Sequence, residues 1–298
     1  MLRPFPDCFG ILSRAALITL DCQALAALIN HGLTLNRTGR NGTGLVHPEP
    51  PLLIIAPIAS EIDLARFPWC PAARDKVCVN RAKFRNLEMM EVIVDAMPFL
   101  LTRLTAAETT ERLAAGTCDL LSCDLPGSGE GAIAIAPCDT LASDRHVPEV
   151  HRRLLMLGQW IGESLNATTA AWMPARKLTR FAWFDNVVSQ YLAGRGFPSL
   201  FHISFLEGRP GEIATQGLRY FTGQEIHLTL PPDYRRAEAD ERLADIIADI
   251  IAHGRINQLS RSKDAVRSET LSYTPSANLE QVEIRIRRDA TSRIAAER

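Results

Sequence analysis

The sequence predicts an α+β fold: a mixed, mostly antiparallel sheet with helices packed on one face, in two ferredoxin-like-sized units. Three observations predict it. Strand-like and helix-like segments alternate as β-α-β-α-β-β-α-β through the second half of the chain. The runs at 200–206 and about 213–230 are close enough in sequence to pair as a hairpin. The segment "DERLADIIADIIAHG" places Leu243, Ile246, Ile247, Ile250 and Ile251 at helical spacing, a stripe that must be buried against something.

In chain order, "ILSRAALITL" (11–20) reads as a first strand. "DCQALAALINHG" reads as a helix, with Asp21 as N-cap, Leu25, Leu28 and Ile29 on one face and Gly32 as its stop. A Gly/Asn/Pro-rich loop leads to "LLIIAP" (52–57), a continuous apolar run of the kind covered on both faces. "NLEMMEVIVDAMPFLLTRL" fits helix or strand, and "TAAETTERLAAG" is a helix closed by Gly116. "DLPGSGEG", Asp124 to Gly131, has turn composition and divides the chain into units 1–125 and 131–298.

The second half continues with a buried strand in "AIAIAP". A helix in "VPEVHRRLLMLGQWIGESL" has Pro148 in its first turn and a stripe of Leu154, Leu157, Ile161 and Leu165. "ATTAAWM" is a strand, "FAWFDNVVSQYLAGRG" a helix, and "LFHISFLEG" a strand by alternation of Phe201, Ile203 and Phe205. "QVEIRIRR", with Val282, Ile284 and Ile286 on one side, is the last strand.

Composition narrows the partners. With 33 basic and 34 acidic residues the net charge is -1, which gives no electrostatic reason to expect nucleic acid or an anionic membrane. Another protein is the partner class that remains. Seven scattered cysteines make no disulfide framework, and a reducing, cytoplasmic setting is expected. Arg14 and Asp21 break the N-terminal apolar run, so neither a signal peptide nor a membrane span is expected.

The stretch "GLRYFTGQEIHL", Gly217 to Leu228, gathers polar residues around two glycines. In a strand Glu225 and His227 share a face, while Ile226, Leu228 and Leu230 take the other and dock under the 243–251 stripe. A carboxylate and an imidazole two residues apart are weak catalytic candidates that need a third partner. Gly217 and Gly223 mark a bend, and a bend is the preferred reading of the motif.

This motif, followed by an amphipathic helix ending in "HG", resembles the C-terminal core of an uncharacterised bacterial family, domain of unknown function 4261. "TTAAWM", Lys177 to Phe184 and "FPSLFHISFLEG" are also similar, so the likeness spans about 130–255. The chain differs from the family's pattern at "GSGEGAIAIA", where the family tends to have histidine, and at "RINQLSRSKDAVRSET" after the last helix. The resemblance implies fold and bacterial origin; it brings no catalytic residues.

Other constellations are weaker still. Asp245, Asp249 and His253 align along one helix face as weak metal candidates, but a single helix supplies no enclosing partners. His146 and His151 are five apart, the wrong spacing for a helical zinc motif, and Cys118, Cys123 and Cys138 lack a tight second pair. Cys78 and Cys123, with His202 and His227, are the material for a Cys-His nucleophile that no local motif marks. No cofactor-binding motif is present: "LPGSGEGA" is neither a P-loop nor a dinucleotide fingerprint. The tail "EIRIRRDATSRIAAER" carries five arginines on a solvated strand and end. The function expected is a non-enzymatic interaction or regulatory module; the alternative is a hydrolase with its site at the junction of the two halves.

Overall fold

Two runs of continuous apolar character, β1 (Leu52–Ala56) and β6 (Gly131–Pro137), form the centre of the first sheet, and five successive buried residues in each explain why. A strand with no polar side can lie only where both faces are covered. The computed structural model describes residues 49–80, 88–144 and 146–288. The expectations for 11–32 lie outside the described residues.

Around this centre stand β2 (Val77–Asn80), β3 (Met89–Val94), β4 (Met97–Leu104), β5 (Asp119–Leu121), β7 (Thr169–Trp172) and β8 (Lys177–Arg180). They form an eight-stranded sheet in the order β2-β3-β4-β6-β1-β7-β8-β5, antiparallel except for the β5–β8 pair. The ambiguous segment 88–104 is therefore a hairpin, turning through Asp95 and Ala96, both with positive φ.

Leu52 and Ile54 face α2 (Pro148–Leu165) and α3 (Phe181–Leu192), where they pack with Leu154, Leu157, Ile161 and Phe184. Leu53 and Ile55 face the other way, into a core closed by Leu113 of α1 (Ala106–Ala114). Each of these fully buried side chains contributes about 1.5–3 kcal/mol. A Thr105–Glu108 capping box starts α1, and Pro148 starts α2 at a position that has no hydrogen-bond partner to lose.

This arrangement corrects two expectations. The first sheet carries helices on both faces, because β1 has no polar side to offer water. The division into 1–125 and 131–298 cuts through one sheet: β1 pairs with β6 and β7, both from beyond the proposed boundary. The described residues belong to one unit, which begins at His47.

The second sheet has six strands in the order β12-β13-β14-β11-β10-β9. They are β9 (Ser204–Glu207), β10 (Glu212–Gln216), β11 (Glu225–Thr229), β12 (Ser260–Asp264), β13 (Glu269–Pro275) and β14 (Gln281–Arg288). All pairs are antiparallel except β11 with β14. Its inner face, Ile213, Ile226, Leu228, Val282 and Ile284, packs on the α6 (Arg236–His253) stripe of Leu243, Ile246, Ile247 and Ile250, with Leu230 packed alongside. The α+β class is as the sequence predicts.

Three local differences appear. "LFHISFLEG" is α4 (Ser199–His202) followed by β9: Pro198 stands at the start of a helical turn that drives Phe201 and His202 into the core. The run 213–230 is two strands around α5 (Arg219–Thr222). β12 and β13 fill a region where no element was expected. Among the described residues no helix is long and apolar enough to cross a membrane.

Candidate functional site

Gly217 begins the motif segment at φ +106°, and a Cβ there would lie 2.4 Å from the His202 carbonyl oxygen. Only glycine fits. The chain then makes the single turn of α5, and Gly223 closes it in the left-handed region. Across this turn Leu218 enters the core of the second sheet and Phe221 that of the first. The bend is thus a rivet between the two sheets.

Glu225 serves the same turn. Its carboxylate accepts hydrogen bonds from the Thr215 hydroxyl (2.7 Å) and from the amides of Gly217 (2.8 Å) and Arg219 (3.1 Å). Burial raises its pKa, and those hydrogen bonds pull the other way. His227 stands on the same side of β11, two residues on, and is exposed. No cluster of three His, Cys, Asp or Glu side chains able to hold a metal occurs among the described residues.

His227 instead lies in a groove of about 550 Å³ on the outer face of the second sheet. The groove runs across β9, β10, β11, β14 and β13, with Glu212, Ala214, Thr229, Thr274 and Glu283 in its lining. Register explains the assembly: Ala214 is opposite His227 on one side and Glu283 is opposite it on the other. The Glu283 carboxylate is held by Arg285 at 2.7 Å. His227 makes no side-chain hydrogen bond among the described residues, and no cysteine lines the groove. What the groove does offer is shape, small side chains and a mixture of donors and acceptors.

The helix-face candidates are committed elsewhere. Asp245 pairs with Arg267 at 2.8 Å, and Asp249 lies 3.0 Å from His253 Nδ1, an exposed contact between residues four apart. Of the cysteines, Cys118 rests on the Leu113 carbonyl and Cys138 on Glu91. Burial, together with the Glu91 carboxylate, pushes the Cys138 thiol up to about 12, and burial also raises that of Cys123. Neither is an activated nucleophile.

Sequence reasoning missed the polar groups buried between the sheets. His151 of α2 and His202 of α4 meet Nε2 to Nε2 at 2.9 Å, enclosed by Trp172, Tyr191, Phe197 and Phe221. His202 Nδ1 lies 2.9 Å from the Pro198 carbonyl oxygen. A carbonyl can only accept, so Nδ1 carries the hydrogen and His202 Nε2 accepts from His151. Burial lowers His151 to about 3, with the Arg152 charge adding to the effect, and places His202 well below its ordinary value, with the charges of His151 and Lys177 adding to it. The pair is neutral.

Close by, the buried Lys177 ammonium donates to the Ile203 carbonyl (2.8 Å) and pairs with Asp119 (3.0 Å), which also accepts from Ser204. In the second sheet Arg242, 7% exposed, pairs with Asp264 at 3.0 Å and sits 3.2 Å from the buried Glu269, which accepts from the Tyr234 hydroxyl. No short-range pattern marks these sets. His151 and His202 are 51 residues apart, so only the fold brings them together.

No family model, curated protein or solved structure matches this chain.

Proposed function

We propose that the chain is a non-enzymatic interaction module that receives a segment of another protein in the groove around His227. One observation carries the proposal: among the described residues no helix lies over the outer face of the second sheet, and that face holds a groove crossing five strands. The chemically capable side chains elsewhere support it, because they are engaged in holding the fold. Glu225 ties the turn, the two buried histidines pair with each other, and Lys177 and Arg242 are neutralised inside. No observation favours the hydrolase alternative.

Kinship with the uncharacterised bacterial family over about 130–255 is part of the same proposal, resting on the residues that resemble it. A cytoplasmic setting is supported by the free thiols of Cys70, Cys118, Cys123 and Cys138.

The test uses the full chain and two groove variants, Ala214→Arg and His227→Ala. The wild type is expected to retain a defined protein partner that Ala214→Arg loses at unchanged melting temperature, and to turn over no ester, amide or phosphoester substrate. Turnover that His227→Ala abolishes in a folded protein sinks the proposal and restores the hydrolase.

A further inference from the structure

The arginine-rich last strand takes on a different meaning once its neighbours are known. β14 lies beside β13, and β13 beside the edge strand β12, in a fixed register. Arg261 is opposite Ser272, which is opposite Arg285; Lys263 is opposite Thr270, which is opposite Arg287. The inner positions of these strands, Leu271, Ile284 and Ile286, are buried under α6, so the alternate positions face out. Arg261, Lys263, Arg285 and Arg287 are all exposed. Four cations thus occupy the corners of a rectangle, with two hydroxyl side chains between them. From strand geometry its sides are about 7 Å along the strands and about 10 Å across them.

Positive charge is in excess here among the described residues. Among the described residues Glu283 is the only carboxylate at the outward positions of these three strands, and it is spent on Arg285. Arg261, Lys263 and Arg287 have no ion pair among the described residues. A chain-wide charge of -1 conceals such a patch, because acidic residues elsewhere cancel it.

We propose that this rectangle binds the phosphodiester backbone of single-stranded nucleic acid, without regard to base sequence. Charge complementarity names a polyanion, and the remaining residues choose among polyanions. The outward positions of β12, β13 and β14 are Arg, Lys, Ser, Thr, Gln and Glu, with no aromatic or large aliphatic side chain. A protein partner would need an apolar or aromatic anchor at the centre of its contact, and a membrane would need an apolar face to enter. Backbone phosphates need neither; Arg, Lys and hydroxyl donors are their usual partners. A broad sheet face cannot lie inside a duplex groove, which admits only an α-helix or a two-stranded β-ribbon, so a flexible single strand laid along the cations fits better. Without aromatic platforms the bases go unread.

None of the four cations lines the groove around His227, so failure here leaves the interaction reading standing, and the converse also holds.

The experiment is fluorescence anisotropy of a labelled oligo-dT with the full chain, titrated across salt. Sequence-independent affinities lie at about 10⁻⁴–10⁻⁶ M. Three to four phosphates neutralised give a slope of log K against log salt of about -2 to -3. Lys263→Ala with Arg287→Ala, both exposed, should weaken binding and reduce the slope by about 1.4 without lowering the melting temperature. The exposed Arg66→Ala, in the helical turn Leu64–Arg66 that packs on the core of the first sheet, should change neither. The proposal is overturned if oligo-dT fails to bind at low salt, if the double variant binds with an unchanged slope, or if phosphatidylserine vesicles bind where the oligonucleotide does not.

Discussion

Acid should loosen this protein through the His151–His202 pair, and the size of the effect can be worked from the structure. Burial holds His151 at about 3, against 6.5 for an ordinary imidazole. The unfolded chain therefore takes up a proton below pH 6.5 that the folded chain refuses until about pH 3. Stability is unaffected above that window, falls as the pH drops through it, and is not reduced further by this group below it. At pH 5 an unfolded imidazole is almost wholly charged while His151 is neutral, a difference of about 2 kcal/mol. His202 is displaced in the same direction and adds to the loss. Geometry agrees with the sign: a proton on His202 Nε2 would face the one that His151 already donates across 2.9 Å. The assay is urea unfolding followed by tryptophan fluorescence at about pH 7.5 and pH 5, for the wild type and for His151→Leu/His202→Leu. Replacing both partners by apolar groups of similar size leaves no orphaned polar atom. The wild type should lose at least about 2 kcal/mol more than the double variant between the two pH values. Equal losses in the two proteins would show that the pair is not the acid-sensitive element.

Two further perturbations probe the joints of the fold. Gly217→Ala places a methyl 2.4 Å from the His202 carbonyl oxygen at φ +106°, so a loss of more than about 2 kcal/mol is expected in chemical unfolding. Arg242→Met strands Glu269, which is 2% exposed, and should cost about 3–5 kcal/mol, with most of it recovered in Arg242→Met/Glu269→Leu. A double variant as weak as the single one would show that packing, not charge, holds that corner.

The legible parts of this fold are those where one segment carries its own signal. The stripe of α6, the apolar runs of β1 and β6 and the proline start of α2 are periodicities or composition that packing obeys directly. β12 was invisible because "SRSKD" is almost wholly exposed and becomes a strand only by borrowing β13's hydrogen bonds. α4 has the sequence pattern of a strand because Phe201 and Ile203 alternate, while the winning demand is tertiary: Phe201 and His202 are both buried. At the candidate site, alternation placed Glu225 and His227 on one side of β11. Which of them would stay in water was decided by Thr215 across the ladder and by the amides of the Gly217 turn, neither of which a strand pattern encodes.

The two sheets differ in a way that makes function separable from stability. In the first, β1 buries both sides, and any change on either side reaches a core. In the second, β11 and β14 alternate strictly, and all their apolar residues lie under α6. Its outer face is stable in water as it stands. A ligand can cover that face without the fold depending on it, and side chains there can be exchanged at little cost to folding. Glu225 is the exception, since it faces outward and yet ties the turn that rivets the sheets. Substituting it would therefore mix a folding defect into any binding measurement, whereas Ala214, His227, Lys263 and Arg287 report on binding alone.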